Sequence, residues 1–218
     1  MHFIAKSISF IFLPLFTPIY GLLIVLFVPS VPVSFLRLDS LYEYPVQVKV
    51  LYLLLFFVFI VLAPGLSFIV LKLNKTISSL GMDKREERHT PIAIMTFYCL
   101  ILYLFLLYQP ENAMIPSIVM GMSVGGVLAG ISAYFVNRFS KISLHGVGMG
   151  ALSGFVFMYF LGMQYFSLWT LLATFVLGGI VLSARVFLNA HTLSQVASGY
   201  GLGFITQILA IFAYQIIG

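Results

Sequence analysis

Residues 115–136 read IPSIVMGMSVGGVLAGISAYFV, an uninterrupted run without a charged side chain. At about 1.5 Å per residue, a helix of that length spans the ~30 Å hydrocarbon core of a bilayer. A transmembrane barrel would instead show short segments of alternating polarity, so the run predicts a membrane helix. Gly121, Gly125, Gly126 and Gly130 recur along it at close to four-residue spacing, which lets neighbouring backbones approach closely.

The rest of the chain agrees with this stretch. Of its 218 residues 61% are hydrophobic and only 8% charged, with a mean hydropathy of +1.12, whereas about a quarter of the residues of soluble domains are charged. The composition predicts an all-α, polytopic transmembrane bundle of six to seven helices in one domain, residues 1–218. The net charge of +5 lies beside apolar segments, where membrane lipids with anionic headgroups are the natural partners and nucleic acid is not. Cys99 is the only cysteine, which excludes an intramolecular disulfide or a thiolate metal cluster.

Seven spans are expected. Ser9 to Val28 reads as a retained first helix kinked at Pro14 and Pro18, followed by an exposed loop from Pro29 to Tyr44. The second runs from Val46 to Leu71 with a bundle-facing kink at Pro64-Gly65. The third is expected to open at Thr90-Pro91, threonine capping and proline taking the first helical position, and to end near Tyr108. A tight turn at Gln109-Pro110-Glu111-Asn112 precedes the fourth, Ile115 to Val136. The fifth, Ser143 to Met163, carries Gly146, Gly150 and Gly154, and these two helices are expected to form the tightly packed centre. The sixth runs from Leu168 to Leu188, and the seventh from Thr192 to Ile217 has Gly199 and Gly203 on one face.

Three polar junctions separate these spans: Lys72 to His89, Asn137 to Lys141, and Arg185 to His191. Even numbers of crossings between them return the chain to one membrane face. Nine basic residues fall there, against Arg37 and Lys49 opposite, and omitting Lys84, Arg85, Arg88 and Arg185 leaves five against two. The positive-inside rule then makes that face cytoplasmic, the expected location being a bacterial inner membrane.

Lys84, Arg85 and Arg88 from the first junction, Ser143 and His145 from the second, and Arg185, His191 and Gln195 from the third make a candidate oxyanion site. Guanidinium forks hold phosphate oxygens bidentately, lysine acts as a point charge, and backbone amides opening the fifth helix add donors. A metal centre finds poor support, since the only carboxylates near this face are Asp83, Glu86 and Glu87 of one loop. No cofactor is expected. Taken singly, His2 and His89 read as structural, and Arg138 and Lys141 as snorkelling or topology residues.

Ile142-Ser143-Leu144-His145, and Ala184-Arg185 followed after five residues by His191 and four later by Gln195, resemble two motifs of the type-2 phosphatidic acid phosphatase superfamily, P-S-G-H and S-R-x5-H-x3-D. The resemblance covers a phosphatase-like core of about residues 72–203. It implies His191 as nucleophile forming a phosphohistidine, His145 as acid to the leaving alkoxide, and Arg185, Ser143 and first-junction cations around the phosphoryl oxygens, without metal. The implied activity is hydrolysis of a lipid phosphate or diphosphate, of the phosphatidate, phosphatidylglycerol phosphate, polyprenyl diphosphate or lipid A type. In bacterial members such sites open away from the cytoplasm, opposite to the charge count. The first motif, K-x6-R-P, is poorly matched: Arg88 is followed by His89-Thr90-Pro91 and has no lysine seven residues before it. Ile142 and Leu144 replace proline and glycine of the second motif, and Gln195 stands where the third has aspartate. The alternative is a catalytically reduced relative that binds anionic lipid or serves as a subunit of a membrane complex. A small transporter is a third reading, lacking paired acids within spans.

Overall fold

The computed structural model describes residues 1–33, 40–79, 81, 84–109 and 115–217, with side chains as far as residue 215. Arg37, Asp83 and the Pro110-Glu111-Asn112 turn lie outside the described residues. The fold is an all-α bundle, and the chain is an integral membrane protein with six described helices long and apolar enough to cross a bilayer.

The expected first span is instead two short helices, α1 (His2–Ile11) and α2 (Thr17–Phe27), neither long enough to cross. Pro14 has no N–H to continue the ladder, so the chain breaks there rather than bending. Thr17 Oγ1 donates to the Pro14 carbonyl at 2.9 Å, and Pro18 occupies the opening turn of α2, where its missing N–H costs nothing.

The second span, Val46–Leu73, is continuous. Its parts are α3 (Val46–Phe56), a wider π turn over Phe57–Leu62, and α4 (Ala63–Leu73). Pro64 cannot bond the Ile60 carbonyl, and the helix absorbs that loss by widening one turn upstream. Pro64 is buried, consistent with the expected bundle-facing side. A 3-10 turn, Glu86–Arg88, leads into α5 (His89–Leu107). That helix begins before Thr90, with Arg88 in the cap position and no side-chain cap, so the expected threonine cap is corrected.

Four longer helices complete the chain: α6 (Ser117–Phe139), α7 (Leu144–Leu161), α8 (Leu168–Phe187) and α9 (Leu193–Ile217). As expected of the packed centre, α6 and α7 are the most buried of the spans, but both pack chiefly on α9 and touch each other little. Glycine placement explains this. A Cβ on Gly146, Gly150 or Gly154 would strike the carbonyls of Val196, Tyr200 and Phe204, and one on Gly199 or Gly203 those of Ser143 and Val147. Gly121 and Gly125 of α6 likewise seat Ile211 and Gln207 of α9, while Gly126 and Gly130 face Cys99 and Thr96 of α5.

At the end away from the polar junctions, β1 (Val31–Pro32) pairs antiparallel with β2 (Met163–Tyr165). Beneath it Tyr159 is buried, its hydroxyl 2.9 Å from Ser30 Oγ and accepting from Leu41 N at 3.1 Å. Lys49 is buried there too, donating to the Tyr42 carbonyl at 2.6 Å between the Phe27 and Tyr42 rings.

Candidate functional site

The Arg185–Gln195 junction joins two helix-end motifs. Asn189 takes a left-handed conformation, φ 53°, which asparagine tolerates better than most side chains. Ala190 N donates to the Arg185 carbonyl at 3.1 Å and Asn189 N to the Val186 carbonyl at 2.9 Å, the pattern of a Schellman C-cap. Thr192 then opens α9 with a reciprocal capping box: Gln195 N donates to Thr192 Oγ1, and Thr192 N to Gln195 Oε1, both at 3.3 Å. His191 sits between the two motifs. The spacing from Arg185 to His191 is thus one helix exit plus one residue before the next cap.

Gln195 Oε1 also lies 3.0 Å from His191 Nδ1, and Arg88 Nη1 lies 3.4 Å from His191 Nε2. A guanidinium can only donate, so Nε2 is the accepting nitrogen and Nδ1 carries the proton given to Gln195. Burial, with Arg88 beside the ring as the next cause, lowers the His191 pKa from 6.5 to about 4, against the Gln195 bond, which raises it. The ring is neutral at physiological pH, with its lone pair on Nε2.

The polar junctions meet here. Arg88 is buried and donates to the Ile142 carbonyl at 2.8 Å. Arg85 reaches the Arg138 and Phe139 carbonyls at 3.3 and 3.4 Å, and Asn137 Nδ2 donates to the Arg85 carbonyl at 3.1 Å. Lys141 donates to the Ala190 carbonyl at 3.2 Å, and Ser143 N to that of Gln195 at 3.3 Å. Even spacing of the spans brings the three together, as the sequence expected.

Arg88, Arg185, His145 and His191 line one cavity of about 720 Å³ whose remaining wall is mostly apolar. On α5 the lining runs from Arg88 to Cys99, about 16 Å along the axis at ~1.5 Å per residue, or half a bilayer core. Four candidates do not line it. Ser143 is fully buried and accepts from Gly146 N at 3.2 Å as the cap of α7. Gln195 acts through His191, Arg85 is spent on the end of α6, and Lys84 is exposed.

Sequence reasoning missed two members from α1. Lys6 and Ser9 line the cavity, and Ser9 O accepts from His145 Nε2 at 2.9 Å. The only signal for them was Pro14, which frees α1 to fold back on the site instead of continuing into a span. Comparison of the chain with family models, curated proteins and solved structures finds no match in any of the three.

Proposed function

We propose that this protein is a membrane-embedded phosphatase that hydrolyses a lipid phosphate or diphosphate through a phosphohistidine on His191. The observation that supports it best is a neutral histidine with its Nε2 lone pair beside a buried arginine, in a cavity polar at one end and apolar along the rest. A phosphate oxygen accepts more strongly than an imidazole and would draw the Arg88 N–H from Nε2, leaving the lone pair to face phosphorus. The Nε2–P bond forms as the P–O bond to the lipid alkoxide breaks, and His145 Nδ1 relays the proton of the phosphate monoanion to that alkoxide. Water then attacks the phosphohistidine, its second proton passing through His145 Nδ1 to the departing phosphate, and His191 is freed. Arg88 and Arg185 offset the charge on the phosphoryl oxygens, and the lipid chain occupies the apolar length of the cavity. The resemblance to the type-2 phosphatidic acid phosphatases supports the same roles.

Gln195 favours a second reading, a catalytically reduced relative that binds anionic lipid. Its amide completes the capping box and holds Nδ1, so a structural role accounts for it fully, yet it brings no charge to stabilise a cationic phosphohistidine. Phosphate release from a panel of long-chain lipid phosphates and diphosphates by the purified protein, with His191→Ala as control, separates the readings. Release that the substitution abolishes is expected; none above the control across the panel sinks the enzyme.

A further inference from the structure

We propose that α1 is a working part of the anion site: the Lys6 ammonium and the Ser9 hydroxyl bind headgroup oxygens, while the Ser9 carbonyl positions His145. This rests on the phosphate reading above and extends it to a helix outside the motifs that suggested it. Lys6 and Ser9 stand three residues apart on α1, hence on neighbouring positions of one face, and both line the cavity that Arg88, Arg185, His145 and His191 line.

The Ser9 hydroxyl is buried, 6% exposed, and its oxygen has no hydrogen-bond partner among the described residues. A buried hydroxyl beside a polar cavity end normally has a partner, and an anionic oxygen supplies the acceptor it lacks. Lys6 adds a third cation to those of Arg88 and Arg185, and no carboxylate lines the cavity among the described residues. Anion charge is therefore opposed by nothing on the wall.

The carbonyl does a separate job. It can only accept, so His145 Nε2 carries the proton of their 2.9 Å bond. Nδ1 is then the ring nitrogen left to exchange a proton with substrate. The bond from Nε2–H to the Ser9 carbonyl thus fixes both the orientation and the tautomer of the ring, as a backbone acceptor does for other oriented histidines. Ser9 is a positioning residue through its carbonyl and a binding residue through its hydroxyl.

Titrating the purified full-length chain with inorganic phosphate separates these roles, with ring-nitrogen NMR of His145 as a second readout. Lys6→Gln and Ser9→Ala should each weaken phosphate binding about 5- to 10-fold and leave the His145 Nε2–H tautomer in place. Lys72→Gln, which alters a cation in the last turn of α4 away from the cavity, should change neither. Phe10→Pro, which forces the last turn of α1 open, should shift His145 towards mixed tautomers. If the chain binds phosphate but Lys6→Gln and Ser9→Ala bind as tightly as the unaltered chain, the proposal for α1 fails while the phosphate reading stands. Should the unaltered chain bind no phosphate, both are overturned. Thermal unfolding of each variant shows whether it is folded, and the conservative Lys6→Gln and Ser9→Ala pair decides the binding claim without Phe10→Pro.

Discussion

Gln195 makes two kinds of contact with one oxygen, and its chemistry sets what His191 can do. An amide accepts the Nδ1–H bond and so selects the tautomer, but it offers no charge to an imidazolium or phosphohistidine. Replacing an aspartate by its amide in a serine protease triad costs about 10⁴ in rate, partly through the wrong tautomer; here the tautomer is right and only the charge is missing. On the phosphatase proposal, Gln195→Asp is therefore expected to raise kcat by about tenfold or more, measured as phosphate release from the best lipid substrate. The same ring predicts a pH effect on stability. Between its unfolded pKa of 6.5 and its folded value of about 4, the unfolded chain binds more protons, so stability rises with pH across that window. The His191 contribution is complete above about 6.5 and is lost as pH falls towards 4. Unfolding temperature in detergent should drop over that range, and less steeply in His191→Gln.

Helix α9 draws its tightest contacts from glycines, and this sets a sharp contrast between positions of equal chemistry. A Cβ at Gly150 would overlap the Tyr200 carbonyl, which cannot swing away as a side chain could. A Cβ at Gly179 meets nothing within 4 Å. Gly150→Ala should lower the unfolding temperature by several degrees, whereas Gly179→Ala should leave it unchanged or raise it slightly, alanine being the better helix former by about 1 kcal/mol. The glycine stripes were legible in the sequence, and so was their meaning as close-packing faces. Their partners were not, because a stripe says that a backbone approaches without saying which one. The same limit governed the helix ends. Ser143 was legible as a polar residue at a helix start, but its hydroxyl closes the α7 cap instead of facing phosphate. Arg185, His145 and His191 were singled out as polar residues between apolar runs that resemble two phosphatase motifs, and all three line the cavity. Lys6 and Ser9 were invisible to that method: only a fold-back at Pro14, a tertiary event, carries α1 to the cavity.

At the scale of the molecule, the six described spans put the polar junctions at one end and the Lys49 cage at the other. Lys49 lies between two rings with a carbonyl on its ammonium, a structural reason for its presence that removes it from the charge count for orientation. The remaining basic residues then favour the polar end in the cytoplasm more strongly. With Cys99 replaced by serine, Arg138→Cys is expected to resist a membrane-impermeant thiol reagent on intact cells and to react once the membrane is opened; labelling from outside would reverse the orientation. The way α9 binds α6 and α7 also fixes an order of events during synthesis. It leaves the ribosome after both helices it clamps, and it carries Gln195 and the cap that holds His191. Until it inserts, Gly121 and Gly125 of α6 and the Gly146, Gly150 and Gly154 face of α7 lack their partner, and His191 lacks the Gln195 acceptor on Nδ1. The packing of α7 and the hydrogen bond that orients the His191 ring through Nδ1 are therefore both completed only with α9 in place.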